Sequence, residues 1–334
     1  KYSKTMCARR VYESQALGNL ILSNYSIAVN NEFPNIFTVH DAQEATAIVE
    51  RTSQEEIERL RAEGLRAVMT EHTVFERMDQ ILAFIGRVPE TRKHRLLIVV
   101  AQDGEVIRDV INRQSLTPDE IVSADALTEQ TYDQADLVAW MDGHESYGEY
   151  YLEDLVNGFK YSDASIVRKG SQHPYHLHEM SGSRNGAIIW RSDIGYDAFQ
   201  AGELNGKTLL LDQFEWNEQT VVPTDHTPQL SVVVPIYNNG KHLTYKCFAS
   251  LTRMDRFMES EILLVDDGST DIEARQAVER LARRYGNVRT YFFETGGSGS
   301  ASRPRNKGVE MARADYVTFL DPDNEVLSDR YAFL

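Results

Sequence analysis

Apolar residues in this chain follow two spacings. Short runs such as Leu96–Ala101 are continuously apolar, while longer stretches repeat an apolar residue every third or fourth position. The first pattern predicts strands, Leu96–Ala101 being of the kind buried on both faces, and the second predicts amphipathic helices. On this basis Glu120–Ser123, Asp136–Trp140, Ser165–Arg168, Gly186–Trp190, Leu230–Pro235, Glu261–Val265, Val288–Phe293 and Tyr316–Leu320 read as further strands. Helices are expected over Val106–Gln114, Tyr150–Phe159, Gly240–Leu251, Asp271–Tyr285 and Ser302–Ala312. The first ninety residues differ. Val11–Leu22 reads as a short helix and a strand broken at Gly18-Asn19, followed by helices at Asp41–Arg51, Ser53–Glu63 and Val74–Ile85. Ser53 and Glu56 are spaced as a capping box, and Gly64 is placed to end the middle helix. Strand–helix alternation with short connections predicts an α/β fold with a mostly parallel sheet.

Two polar segments containing proline, Val88–Lys93 and Val222–Pro228, divide the chain into three blocks: 1–90, 91–222 and 229–334. The second and third open strand–helix–strand, and each closes a strand on Asp, as weak internal repeats do. With 334 residues, 42% hydrophobic and 26% charged, the chain has room for two or three globular domains. A net charge of −16 opposes nucleic-acid binding, which needs a basic face, and disfavours an anionic membrane surface, although a local basic patch would still allow peripheral docking. Cys7 and Cys247 are the only cysteines and fit a reducing compartment. No apolar run approaches the length of a membrane span and no secretory leader is visible, so the expected location is cytoplasmic, with the inner membrane face left open. The start at Lys1 and the stop at Leu334 suggest a fragment of a longer protein, with self-association left open.

The chemistry is densest in the third block. In order it carries Val234-Pro235-Ile236-Tyr237-Asn238-Asn239, Asp266-Asp267-Gly268-Ser269, Arg303-Pro304-Arg305-Asn306-Lys307-Gly308 and Asp321-Pro322-Asp323-Asn324. Carboxylates at strand ends lie at the carboxyl edge of an open α/β sheet, where such folds take ligands. An Asp-x-Asp pair offers hard oxygen ligands to Mg²⁺ or Mn²⁺. Taken singly, each is a common surface feature, and an isolated Asp-x-Asp is more often a solvated turn. The four motifs in register resemble family-2 glycosyltransferases of the GT-A fold, over most of their nucleotide-binding half. The resemblance implies that Pro235 and Tyr237 line the base, that Asp267 hydrogen-bonds it (usually uracil), and that Arg305 and Asn306 lie near the diphosphate. It also implies that Asp321 and Asp323 contact the ribose and the metal. The implied enzyme takes a nucleotide-sugar donor, usually UDP-linked, and a glycan or polymer acceptor. It is inverting, with a general base expected beyond Leu334. Gly296-Gly297-Ser298-Gly299 is either a phosphate-wrapping loop or a surface loop.

The second block looks like a diverged GT-A domain: Asp142 stands where the metal-binding aspartates would be, but His144 replaces the second Asp. A degenerate site is expected there, with His173, His176 and His178 on a solvated loop. The first block resembles the end of the C-terminal domain of GT-B glycosyltransferases through Arg10–Asn19. In that family a Glu at the place of Glu13 binds the ribose; a surface helix residue is the equal alternative. The expected architecture is thus a Rossmann-like GT-A sheet, a second diverged α/β domain and a helical GT-B remnant. Two competing functions remain: a non-catalytic scaffold, favoured by the broken second block, and a nucleotidyltransferase. The latter is opposed by Ile236-Tyr237-Asn238-Asn239, where a basic glycine loop would be needed.

Overall fold

A computed structural model describes residues 7–88, 94–170, 174–217, 227–294 and 296–326. Their contacts group the chain into two units. One comprises Lys1–Cys7, Leu22–His40 and Gln219–Leu334, here the C-terminal unit; the other, Ala8–Ile21 and Asp41–Glu218, is the middle unit. The first block is therefore shared. α1 (Arg9–Ala16) belongs to the middle unit, while β1 (Leu22–Ser23), α2 (Ile27–Glu32) and β2 (Phe37–Thr38) belong to the C-terminal one. α3 (Ala42–Arg51), α4 (Gln54–Glu71) and α5 (Val74–Phe84) return to the middle unit. Each of these three starts at a side-chain cap, Asp41, Ser53 and Thr73 accepting from the amides of Glu44, Glu56 and Glu76.

Gly64 does not end the middle helix: α4 runs through it to Glu71. An interior glycine costs about 1 kcal/mol relative to alanine. Burial of Leu60, Leu65 and Val68 on the same helix outweighs that, at roughly 1.5–3 kcal/mol per large side chain.

The middle unit continues with β3 (Leu96–Val100), α6 (Glu105–Asn112), β4 (Glu120–Ser123), α7 (Glu129–Asp133), β5 (Leu137–Met141) and α8 (Tyr151–Gly158). β6 (Ile166–Arg168), β7 (His176–Ser183), β8 (Ala187–Trp190), α9 (Tyr196–Ala201) and β9 (Glu203–Leu210) complete it. Its sheet has the order β4-β3-β5-β8-β6-β9-β7. Every residue of β3 and β5 is buried, as their uniform apolarity requires. The sheet is mixed rather than mostly parallel: β8 runs antiparallel to β5 and β6, and β7 antiparallel to β9. Neither β7 nor β9 is foreshadowed by the apolar pattern, because β7 is an edge strand with mostly exposed side chains, held by an eight-residue ladder to β9. His176 and His178 consequently sit on a strand, not a loop, and His173 lies outside the described residues.

The C-terminal unit is built on β10 (Leu230–Ile236), β11 (Glu261–Asp266), β12 (Val288–Phe292) and β13 (Tyr316–Phe319), all parallel, in the order β12-β11-β10-β13. Between β10 and β11 the chain is helical from α10 (Gly240–His242) through a π turn at Leu243–Phe248 to α11 (Ala249–Thr252). α12 (Ile272–Arg284) and α13 (Ser302–Met311) make the other crossovers. β10 and β11 are buried throughout, with one core of Val232, Val234, Ile262 and Leu264 and another of Val233, Leu263 and Val265 on alternate positions. α13 comes very close to the sheet, since a Cβ on Gly308 would fall 2.2 Å from a methyl of Val233. Strand order reverses at β10, so the sheet's crevice opens at the carboxyl ends of β10 and β13, beside β11.

Candidate functional site

The end of β10 sets one wall of that crevice. Pro235 is buried in the strand, in register with Val265, while Tyr237 just beyond is 43% exposed. Asn238 then takes a left-handed conformation (φ 55°), tolerable for asparagine. Its side-chain oxygen accepts from the amides of Thr270 and Asp271 at 2.9 and 3.0 Å, and its own amide donates to the Ser269 hydroxyl at 2.9 Å. These bonds clip the β10 turn to the β11 turn.

The two aspartates of β11 have separate jobs. Asp266 is fully buried, and its Oδ1 accepts from the amides of Gly268 and Ser269 at 2.9 and 2.8 Å, which folds the chain back at the strand end. Asp267, one residue beyond the strand, is also nearly covered. Its Oδ2 accepts from both the amide and the hydroxyl of Ser298 at 2.7 Å, and its Oδ1 from the Arg303 guanidinium at 2.6 Å. Burial alone would raise the Asp267 pKa, but the Ser298 and Arg303 bonds outweigh it and hold the carboxyl below its ordinary range. Arg303 also donates to the Asp267 carbonyl at 3.0 Å and lies over the Phe293 ring at 4.3 Å. The glycine loop closes over the same place. The Gly297 amide donates to the Asp267 carbonyl at 2.8 Å, and a Cβ on Gly297 (φ +45°) would come within 3.0 Å of the Tyr237 ring.

Arg305, on the first turns of α13, donates to Asp321 Oδ1 at 2.6 Å. Asn306 is exposed on the next position. Asp321 is about three-fifths covered, and the Asp321–Asn324 turn, closed by a 2.9 Å backbone bond, exposes Asp323. Both carboxylates lie near the α10 segment. They reinforce burial in pushing the Cys247 thiol up, and Asp323 opposes the burial and the Lys246 charge that push His242 down. His242 Nε2 is 3.2 Å from the Asn30 amide nitrogen, and Lys246 donates to Asn30 Oδ1 at 2.9 Å. Through Asn30, α2 thus supports the helix bordering the Asp-x-Asp turn.

Among the described residues no group of three or more His, Cys, Asp or Glu is arranged to hold a metal. Asp321 and Asp323 supply two hard carboxylates, a donor set that suits Mg²⁺ or Mn²⁺ completing its shell with phosphate oxygens and water. The structure therefore brings Pro235, Tyr237, Asp267, Arg305, Asn306, Asp321 and Asp323 to one unit, most of them at the crevice. Glu13 is not among them: on α1 of the middle unit, it pairs with Arg9 at 2.7 Å in an exposed i,i+4 contact. Arg303 had no assigned role in the sequence. Its one signal was its position in the first turn of α13, two residues before Arg305.

The corresponding edge of the middle unit is occupied by its own side chains. Asp142 Oδ1 accepts from the His144 amide at 3.0 Å. Glu145 Oε2 accepts from the Tyr147 hydroxyl at 2.8 Å and the Trp216 indole at 3.0 Å, and His144 is exposed. Lys169, just past β6, is fully buried between Asp154 (2.8 Å) and Asp212 (2.9 Å), and Arg66 of α4 holds Asp154 through two bonds at 2.7 and 2.9 Å. Burial opposes the charges on Asp154 and Lys169. The two cations nevertheless hold Asp154 ionised, and the two carboxylates keep Lys169 protonated.

Residues 231–332 match the sequence profile of Glycosyl transferase family 2. An "Uncharacterized glycosyltransferase" of Haemophilus influenzae is 31% identical over 103 residues, 31% of this chain and 39% of that protein. The glycosyltransferase GlyG of Streptococcus pneumoniae is 36% identical over 97 residues, 29% of this chain and 31% of that one. The poly(ribitol-phosphate) beta-N-acetylglucosaminyltransferase TarS of Staphylococcus aureus is 36% identical over 111 residues, 32% of this chain and 19% of its own. The structure of S. aureus TarS 1-349 in complex with UDP-GlcNAc aligns with 32% identity over 31% of this chain and 29% of that one, at a TM-score of 0.28. The chain spans less than two-fifths of the length of each of these relatives. With four parallel strands, a crevice at their carboxyl edge and the family's motifs at that edge, residues 231–332 are a family-2 glycosyltransferase domain of the GT-A fold.

Proposed function

We propose that the C-terminal unit is the donor-binding half of a glycosyltransferase that takes a sugar from a UDP-linked donor to a glycan or polymer acceptor. The observation that carries this reading is the state of Asp267. An ionised carboxylate offers about four lone-pair positions. Three are taken by Ser298 and Arg303, which leaves one on Oδ1 for a ligand N–H beside Tyr237. Being ionised, Asp267 can only accept, so it selects a base that presents a ring N–H. Uracil has one at N3 and guanine one at N1, whereas cytosine has a bare acceptor at N3.

Tyr237 offers an aromatic face to the base, and Arg305, now paired with Asp321, offers its guanidinium to the diphosphate. Asp321 and Asp323 would hold the divalent ion. When bound, the ion neutralises the charge that develops on the departing diphosphate. The chain's own contribution is to fix donor and ion through strand ends and the α13 N-terminal turns, the β10 and β11 turns being clipped together by Asn238 and α13 tied to β11 through Arg303 and Asp267. For the middle unit the reading differs. Glu145 is committed to Tyr147 and Trp216, and Asp142 to its own turn, which supports a non-catalytic supporting domain there.

Calorimetric titration of UDP, GDP and CDP in Mn²⁺, repeated in EDTA, tests the proposal. UDP should bind in Mn²⁺ and lose affinity in EDTA, with CDP weaker. Equal affinities for UDP and CDP would remove the role given to Asp267, and no binding of any nucleotide would remove the donor site.

A further inference from the structure

Helix α5 is turned inside out. No residue of it is buried, and its polar side chains face the unit: Glu76, Arg77 and Asp79 are half-buried. Arg77 reaches His72 Nδ1 at 2.7 Å and lies over the Tyr12 ring, which packs edge-on against His72. Apart from the half-buried Leu82, the large apolar side chains face outward: Val74, Phe75, Met78 and Ile81 are exposed, and Phe84 is 92% exposed. A helix packed on a soluble domain normally does the reverse, and a contiguous apolar face of this size marks an interaction surface.

The spacing identifies the kind of partner. Val74, Met78 and Ile81, with Ile85 at the C-cap, recur at four- and three-residue steps, a seam suited to packing against another helix, and no charge interrupts it. The seam is also symmetric end to end. Reversed about the midpoint between Asp79 and Gln80, Val74 falls level with Ile85, Phe75 with Phe84, and Met78 with Ile81. A reversed copy of the same helix therefore meets an apolar residue at each of these levels, which is the requirement of a two-fold interface. From their fractional exposures, Val74, Phe75, Met78, Ile81, Phe84 and Ile85 hold on the order of 800 Å² of exposed surface, what one partner contributes to a standard interface. A membrane is a poorer fit. Interfacial helices carry a Lys/Arg-rich polar face, whereas that of α5 holds Glu76 and Asp79 beside Arg77, on a chain of net charge −16.

We propose that α5 is a self-association face, pairing antiparallel with α5 of a second copy of this chain across a two-fold axis. Sedimentation equilibrium of the full chain from about 1 to 100 µM tests it, a range that separates a standard interface from chance contact. The chain should be dimeric. Ile81→Lys should weaken the dimer at least ~100-fold, because it places an unpaired ammonium in the seam. The monomer should keep its fold, with an unchanged far-UV circular dichroism spectrum, since Ile81 is 55% exposed in the chain. Phe84→Lys should do the same, and Val106→Lys, at an exposed apolar position on α6, should leave the dimer intact. A monomer throughout the range overturns the proposal, as does a dimer indifferent to both α5 substitutions. A monomer that binds zwitterionic vesicles through α5 overturns it in favour of a lipid surface.

Discussion

Replacing Asp267 with alanine separates base recognition from phosphate recognition. The carboxylate is 5% exposed and accepts three hydrogen bonds of 2.6–2.7 Å. If a base N–H takes its fourth position, that bond is charge-assisted and contributes about 1.5–3 kcal/mol. Its loss should weaken UDP roughly 10- to 150-fold. On the proposed reading free diphosphate meets Arg305 and the Asp-x-Asp turn instead, so its affinity should change by less than about twofold, within the spread of additive distant sites. Stability should fall by only about 1–2 kcal/mol, because Arg303 is one-third exposed and water resolvates it. Calorimetry with UDP and with inorganic diphosphate, alongside urea unfolding, reads all three. The pH dependence follows from the sign of the shift. The folded pKa of Asp267 lies below its ordinary 3.8, so its stabilisation is complete above that value and is lost as the pH falls beneath it. UDP affinity should therefore show no Asp267-dependent change between neutrality and about pH 4, above the unperturbed carboxyl range. Equal losses for UDP and diphosphate would refute the contact with the base.

Two other substitutions probe the two sheet edges. Asp323→Ala should abolish metal-dependent nucleotide binding in the same calorimeter while leaving the melting temperature nearly unchanged, since the side chain is exposed; a large drop in melting temperature would make Asp323 structural. Asp142→Ala should leave nucleotide binding unaltered, and a measurable loss would mean that the middle unit holds a working site.

The strands of the C-terminal unit were legible because each is a short run rich in apolar and aromatic residues, buried on both faces in β10 and β11 and partly exposed in β12 and β13, and three of the four motifs sit at strand ends while the fourth opens α13. β10, β11 and β13 fall within a residue of their expected limits. The same logic failed at β7, whose exposed polar side chains carry no periodic signal, and its existence depends on the backbone ladder to β9. It also failed at Gly64, where local propensity pointed to a helix end and buried neighbours on α4 prevailed. Asp267 could be named from its motif, but its partners could not. Ser298 and Arg303 lie 31 and 36 residues away and meet it only because the β12 loop and α13 fold back over the β11 edge.

The sequence by itself determined the α/β alternation, the order of the four motifs and the chemical types at the crevice, because these depend on local periodicity and on strand ends meeting at one edge. Tertiary structure decided the rest. It placed Leu22–His40 with the C-terminal unit, where Asn30 joins His242 and Lys246. It tied Glu145 to Trp216 across 71 residues, and it buried Lys169 between Asp154 and Asp212. It also turned the apolar side of α5 outward, although the helix itself was predictable. The physical reason is common to all four: the sequence pattern shows which face of an element is apolar or charged, whereas its partner is fixed by long-range packing. Desolvation costs are settled only there, and a buried charge or an exposed apolar seam has meaning only in relation to what meets it.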